Sequence, residues 1–150
     1  MVNFANIFMR IHKSHKITES QLQKTVVSCL SNLGYQVMET GKARSKVTCK
    51  TCGCQSYATG WQGNTVGIPD LYIHNTLWKH SIAVPVELKT QTGEVRKEQK
   101  IFEDIKITTI CRSLADVLYL LQKLEPHIGC DSTITKLQRF IDGAWINYNE

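Results

Sequence analysis

Two acidic residues and a lysine lie at the ends of two apolar segments that are typical of β-strands. Asp70 precedes Leu71-Tyr72-Ile73, and Glu87 and Lys89 close the segment that begins at Ile82. Because strand side chains alternate between faces, Glu87 and Lys89 point the same way while Leu88 points into the core. If the two strands pair at these ends, Asp70 joins them on that face. Two carboxylates of this kind predict a site for a hard divalent cation, Mg²⁺ or Mn²⁺.

A cation held by Asp70 and Glu87 suits the hydrolysis of a phosphodiester. Such an ion polarises a phosphoryl oxygen and lowers the pKa of a bound water. Lys89 would contact the scissile phosphate or the attacking water and neutralise charge in the transition state. The alternative is a surface ion pair between residues at strand ends. The upstream Pro69-Asp70, the intervening hairpin and the downstream helix favour the catalytic interpretation.

The order of several short motifs along residues 18–124 carries a family resemblance. The motifs are Gly67-Ile68-Pro69-Asp70, Val86-Glu87-Leu88-Lys89-Thr90, Glu98-Gln99-Lys100, and Cys111-Arg112-Ser113 followed by Asp116-Val117-Leu118. The arrangement resembles the virus-type replication-repair nuclease (VRR-NUC) domain of the PD-(D/E)XK superfamily, which is common in phages and related to Holliday junction resolvases. The resemblance implies an α/β fold with a restriction-endonuclease-like core, a mixed central sheet flanked by helices.

The resemblance also implies further site residues and partners. Glu19, in the first helix, would be an additional acidic ligand, and Gln99 would face the active site. The main-chain carbonyl of Leu88, next to Glu87, is a third candidate ligand. The alternative for Glu19 is a first-turn glutamate stabilised by the helix dipole, and for Gln99 a solvated polar face. The implied activity is DNA repair chemistry on branched DNA, such as a four-way junction or a flap, by a homodimer.

Basic and polar residues near these motifs are candidates for contact with nucleic-acid phosphates, which attract cations with little sequence preference. They are Lys42, Arg44, Lys46, Lys50, Thr90, Gln91, Lys97 and Lys100. Tyr57 and Trp61 are candidates for stacking on unpaired bases. The alternatives are a solubilising charged surface and aromatic filling of a small hairpin.

Three of the six cysteines, Cys49, Cys52 and Cys54, lie in one short segment. The C-x-x-C spacing suits tetrahedral zinc, which in structural sites takes four ligands. A fourth ligand would come from His74, His80 or a partner chain. In a non-secreted chain the cluster indicates metal binding or free thiols rather than disulfides.

The chain begins with a predicted arm or short helix over residues 1–17 and a capped helix. Thr18 and Gln21 form a capping box, apolar residues recur from Leu22 to Leu33, and Gly34 ends the helix. A strand over Tyr35 to Met38 follows, and residues 41–67 form a cysteine-containing insertion.

The second half alternates strands and helices. After the strands that bear Asp70 and Glu87, a helix is predicted from Arg96 to Ile105, with Ile101, Phe102 and Ile105 on its apolar side. The remaining predictions are a strand from Ile107 to Cys111, a helix capped by Ser113 and ended by Pro126, and, within a C-terminal extension over 125–150, a helix near Thr135 to Ile141 with an extended end.

Bulk properties indicate a single domain. At 150 residues the chain is long enough for one core, and its formal net charge of +5 suits an anionic partner. No apolar run reaches the length of a membrane span, and the N-terminus does not read as a secretory signal, so a cytoplasmic location in a bacterial host is expected. The rival function is a non-catalytic nucleic-acid-binding module that uses the nuclease fold as a scaffold, with the cysteine loop as its contact element.

Overall fold

The protein combines helices with β-strands, and its computed structural model describes residues 17–40, 46–57 and 67–149. At residues 46, 47, 55–57 and 144–149 the structure describes the main chain alone. The elements in chain order are α1 (Glu19–Asn32), β1 (Gln36–Glu39), β2 (Lys46–Thr48), β3 (Gln55–Tyr57), β4 (Leu71–His74), β5 (Val84–Leu88), α2 (Lys97–Asp104), β6 (Thr109–Cys111), α3 (Leu114–Ile128) and α4 (Asp131–Asn149).

A four-stranded mixed sheet with the order β1-β4-β5-β6 lies at the centre of the fold. The β1–β4 and β4–β5 pairs are antiparallel, whereas β5 and β6 are parallel and are connected through α2. Such a parallel connection needs a crossover, and here a helix supplies it. Strands β2 and β3 form a separate antiparallel hairpin. The predicted α/β class with a mixed sheet flanked by helices is confirmed.

The core lies between the sheet and helices α1 and α3. Alternation in β4 and β5 sends Leu71, Ile73, Val86 and Leu88 inward, and each is fully buried. Facing them are residues at helical spacing from α1 and α3, namely Leu22, Val26, Leu30, Val117, Leu118 and Leu121. The core therefore holds the end of β5, which bears Glu87, in a fixed position.

The start and end of α1 agree with the sequence prediction. Thr18 Oγ1 accepts from the Gln21 amide at 3.2 Å, and Gln21 Oε1 accepts from the Thr18 amide at 2.9 Å, which completes the capping box. Gly34 has φ +93°, a left-handed conformation that favours glycine after a helix. Strand β1 begins and ends one residue later than predicted, because Tyr35 donates its amide to the Leu30 carbonyl at 3.0 Å.

The prediction that Ile101 and Ile105 lie on a buried apolar side of α2 is wrong, whereas Phe102, the third residue of that side, is half-buried. Ile101 and Ile105 are each 57% exposed, whereas Gln99 is only 8% exposed. The helix turns its polar side toward Glu87, where the Gln99 amide forms a hydrogen bond to the carboxylate. A buried carboxylate is costly without a hydrogen-bond donor, so bringing Gln99 to Glu87 outweighs the burial of the two isoleucines.

The prediction that Pro126 ends α3 is also wrong, since the helix continues to Ile128. A proline in the last turn removes only one amide donor, and the Gly129 amide still reaches the Glu125 carbonyl at 2.7 Å. Helix α4 is longer than predicted and runs to Asn149, so the predicted extended end is wrong. Extending an existing helix is easier than nucleating one, and no proline interrupts this segment.

No helix within residues 17–40, 46–57 and 67–149 combines the length and the hydropathy that crossing a bilayer would require.

Candidate metal-binding and catalytic site

Asp70 is positioned by its main chain at the start of β4. Thr40, just after β1, donates to this segment: its amide reaches the Asp70 carbonyl at 2.9 Å, and its hydroxyl hydrogen bonds to the Pro69 carbonyl. Gly67, three residues earlier, has φ +87° and lies against Phe102 of α2. These contacts direct the Asp70 side chain toward β5, where Oδ2 accepts from the Leu88 amide at 2.9 Å.

Glu87 and Lys89 share one face at the end of β5, as strand alternation predicts. The register pairs Leu71 with Val86, so Asp70 lies opposite the end of β5 that carries Glu87. Lys89 Nζ is 2.9 Å from Glu87 Oε1, and both residues are buried, with 7% and 1% exposure. The predicted convergence of these three side chains at the ends of two paired strands is therefore present in the structure.

Two helices add one residue each to this group. Gln99 of α2 donates its side-chain amide to Glu87 Oε1 and accepts the Arg96 amide at 3.0 Å, so it links the start of α2 to the carboxylate. Glu19, in the first turn of α1, has Oε1 3.5 Å from Lys89 Nζ. We call Glu19, Asp70, Glu87, Lys89 and Gln99 the carboxylate–lysine cluster.

The two strand carboxylates bind protons more tightly than ordinary acids do. Burial raises the pKa of Asp70, although the Leu88 amide and the charge of Lys89 act in the opposite direction. Burial also raises the pKa of Glu87, the hydrogen bond from Lys89 opposes this, and the negative charge of Asp70 raises the pKa further. A group that supplies positive charge here would favour the ionised form of both acids.

Lys89 is held in its charged form by the surrounding acids. Burial disfavours the ammonium, but the hydrogen bond and charge of Glu87, together with Glu19 and Asp70, outweigh burial and raise the pKa of Lys89. The lysine is therefore a permanent cation at neutral pH. It compensates part of the negative charge of the cluster and leaves a net negative site.

One oxygen of the cluster fits a divalent cation. Glu87 Oε2 is fully buried and has no hydrogen-bond partner among the described residues. A buried oxygen of this kind is costly unless something pairs with it. Asp70 and Glu87 supply the hard oxygen ligands that Mg²⁺ and Mn²⁺ prefer, and Mg²⁺ typically uses one or two carboxylates, with waters and substrate phosphates as further ligands.

The predicted ligands are not all equally placed for that ion. Among the described residues no three histidine, cysteine or acidic side chains form a group that could hold a metal. Glu19 contacts Lys89 rather than completing a set of three acids. Its role as a ligand, direct or through water, stays a prediction, as does that of the Leu88 carbonyl.

Three residues that support the site had no functional role in the sequence analysis. They are Thr40, which holds the Asp70 main chain, Arg96, whose charge favours ionised Asp70, and Arg112, which holds the turn after Lys89. Arg112 Nη1 donates to the carbonyls of Thr90 and Gly93 at 2.5 and 2.9 Å. Arg112 belongs to the Cys111-Arg112-Ser113 motif, directly after β6, and that position was the sequence signal for its role.

The residues predicted to contact phosphates differ in exposure, and only some of them are described. Lys50, Gln91, Lys97 and Lys100 are exposed and Thr90 is half-buried. Lys46 and Tyr57 lie in β2 and β3, where side chains are not described, and Lys42, Arg44 and Trp61 lie outside the described residues. Lys97 and Lys100 share α2 with Gln99, so two cations lie on the helix that contacts Glu87.

Cys49, Cys52 and Cys54 are exposed thiols in the turn of the β2–β3 hairpin. Hydrogen bonds from the main chain of Cys52 and Thr51 lower the pKa of Cys49 to about 7, whereas the pKa of Cys54 is raised by its contact with Cys52. The histidines predicted as a fourth ligand are placed elsewhere in the described fold. His74 Nδ1 lies 2.6 Å from the Ile82 carbonyl, and His80 is exposed in the β4–β5 connection.

Comparison of the chain with protein-family models, with curated proteins and with solved structures found no match.

Proposed function

We propose that this protein is a divalent-metal-dependent endonuclease that hydrolyses phosphodiester bonds in DNA. The observation that carries the proposal is the unpartnered Glu87 Oε2, buried beside Asp70 and a charged lysine. Buried acids with raised pKa values next to a fixed cation are typical of functional sites.

The proposed roles follow from the contacts of each side chain. Asp70 and Glu87 would hold the ion, which when bound supplies charge neutralisation at a phosphoryl oxygen and acidifies water. Lys89, already ionised, would donate to a phosphate oxygen and stabilise the charge that develops there. Gln99 would keep the Glu87 carboxylate in one orientation through its hydrogen bond, and Glu19 would keep Lys89 at the site.

The proposal also includes a class of substrate, branched DNA. The order of motifs resembles the VRR-NUC domain, and on that resemblance we propose a restriction-endonuclease-like core that acts on branched DNA as a homodimer in the cytoplasm. The mixed sheet and the placement of Asp70 and Glu87 on adjacent strands support this fold assignment. The exposed Lys97 and Lys100 on α2 support an anionic partner.

The test is cleavage of labelled four-way junction, flap, duplex and single-stranded DNA, and of RNA, with Mg²⁺, with Mn²⁺ or with chelator. Asp70→Asn preserves shape while removing a charge, and we expect it to abolish cleavage. Lys89→Met should lower the cleavage rate by about 10²–10³-fold, the usual effect of losing a group that stabilises transition-state charge.

Glu98→Gln provides the matched control, because Glu98 neighbours Gln99 on α2 but is exposed. It should cleave like the unchanged protein. Cleavage that persists in chelator, or in Asp70→Asn, contradicts the proposal. Circular dichroism of each variant separates loss of activity from loss of folding.

A second candidate is a nucleic-acid-binding module without catalysis. It is favoured by the finding that no three ligating side chains converge within the described residues. In that case the protein would bind the same DNA substrates, and Asp70→Asn would leave that binding unchanged. No metal ion would support cleavage.

A further inference from the structure

The turn of the β2–β3 hairpin brings two thiols to the same side of the chain. The Gly53 amide donates to the Cys49 carbonyl at 2.9 Å, which closes residues 49–53 into a single helical-type turn. In such a turn, residues three positions apart face the same way. Cys49 and Cys52 are three apart, and both are exposed.

Gly53 makes this turn possible. It has φ +69°, and a Cβ added at this position would meet no atom within 4 Å. The next residue returns directly to the hairpin, since the Cys49 amide donates to the Cys54 carbonyl at 2.9 Å. The turn is therefore held by hydrogen bonds of its own main chain.

The Cys49 and Cys54 thiols have different surroundings in this turn. The amides of Thr51 and Cys52 form hydrogen bonds with the Cys49 sulfur. Cys54 differs, because its Sγ lies 3.9 Å from the Cys52 carbonyl oxygen and is directed at that acceptor.

We propose that Cys49 and Cys52 bind zinc as half of a four-thiolate site, which the same two residues of a second copy of this chain complete. C-x-x-C thiolate pairs are common zinc ligands, and structural zinc sites are four-coordinate. The proposed zinc site shares no residue with the carboxylate–lysine cluster.

A second copy is the source of the other two ligands because the described chain offers none. No third cysteine, histidine or acid joins the pair in a metal-binding group within the described residues. Cys111 is 1% exposed inside the core, and His74 Nδ1 is occupied by the Ile82 carbonyl. Two exposed, identical pairs related by a two-fold axis give four sulfurs, the symmetry that most homodimers use.

The experiment uses the full chain without a polyhistidine tag, reduced and stripped with chelator, and titrated with Zn²⁺ alone. Elemental analysis gives bound zinc per chain, and light scattering after gel filtration gives the mass. We expect about one zinc per two chains, since four thiolates complete one site, and a dimer that forms only with zinc. Co²⁺ in place of Zn²⁺ should give the near-ultraviolet charge-transfer absorption of thiolate ligation.

Cys49→Ser and Cys52→Ser should each weaken zinc binding by more than the roughly 10–100-fold that loss of an outer-shell partner costs, and should stay monomeric with Zn²⁺. Cys54→Ser, from the same turn, is the matched control and should keep both zinc and the dimer. Asp70→Asn should also keep both, so failure of this proposal and failure of the nuclease proposal are distinguishable. One zinc per monomeric chain, no bound zinc, or zinc retained by Cys49→Ser would overturn the proposal.

Discussion

Without a metal ion, Lys89 supplies the positive charge that pairs with the acids of the carboxylate–lysine cluster. It is 7% exposed and 2.9 Å from Glu87, with Glu19 at 3.5 Å. Buried charges are tolerated in proteins when they are paired, and one ammonium cannot neutralise three carboxylates. The cluster is therefore poised to accept a further cation.

The raised pKa values of Asp70 and Glu87 predict how the binding of that cation should depend on pH. Raised values mean that protonation favours the folded state at low pH, and this contribution is lost as pH rises through the raised pKa values. A divalent cation binds the ionised form and should restore the lost stability. We expect no effect of Mg²⁺ on Tm near pH 4, the ordinary carboxylate range, and an increase toward neutrality.

The size of the effect follows from binding linkage. Cation at a hundredfold excess over Kd contributes about 2.7 kcal/mol, which corresponds to roughly 5 to 10 °C in Tm for a chain of this length. Thermal unfolding followed by circular dichroism across this pH range, with and without Mg²⁺, measures it. Asp70→Asn should remove the increase. An increase of equal size in Asp70→Asn would place the ion elsewhere.

At the scale of elements, the approach of the Gly67 segment to α2 sets the geometry of the site. A Cβ added at Gly67 would lie 2.8 Å from Phe102 Cε2 and 3.0 Å from Glu98 Cβ. The same helix presents Gln99 to Glu87, so this close contact holds the Asp70 segment and the Gln99 helix together. Glycine is therefore favoured at position 67 of the G-x-P-D motif, because the main chain there has a left-handed φ and packs closely against α2.

Gly67→Ala should therefore destabilise the fold and lower cleavage. Its matched control is Gly34→Ala, since Gly34 also has a positive φ but its added Cβ would meet only the mobile end of Lys136, at 3.4 Å. Both variants incur the left-handed cost of about 1–2 kcal/mol, and Gly67→Ala adds about 1–3 kcal/mol of overpacking. Urea unfolding measures the difference, and equal losses in the two variants would contradict it.

For the whole molecule, one buried carboxylate links parts that are far apart in sequence. Glu125 of α3 is 1% exposed and accepts from Tyr35 Oη at 2.5 Å, Trp78 Nε1 at 3.0 Å and Thr133 Oγ1 at 2.6 Å. These donors come from the loop before β1, the β4–β5 connection and α4. Burial, followed by the contact with Glu125, raises the pKa of Tyr35, which keeps its phenol protonated as a donor.

Glu125→Ala should leave the Tyr35 hydroxyl and the Trp78 indole without their acceptor, whereas Thr133 Oγ1 still has the Cys130 carbonyl at 2.9 Å. Hydrogen bonds to charged groups contribute roughly 1.5–3 kcal/mol each, so we expect a loss of at least about 3 kcal/mol in the free energy of unfolding. Glu125→Gln keeps the shape and two acceptor contacts and should lose less. Urea denaturation provides the measurement, with exposed Glu103→Ala as the control, expected within about 0.5 kcal/mol of the unchanged protein. A similar small effect in Glu125→Ala would show that these contacts add little.

Features that depend on local rules could be predicted from the sequence. Strand alternation placed Glu87 and Lys89 on one face, capping chemistry began α1 at Glu19, and helical spacing identified the apolar side of α1 between Leu22 and Leu33. These depend only on residue type and on neighbours within a few positions, so a single sequence contains them.

The contacts that join distant segments became visible only in the folded chain. Folding left Ile101 exposed on the helix whose Gln99 contacts Glu87, and it gave Thr40 and Arg112 their supporting roles. The physical reason is shared: each outcome satisfies buried carboxylates or main-chain carbonyls supplied by another element. Those partners leave no periodicity in the sequence, because they are set by which segments become neighbours in the folded chain.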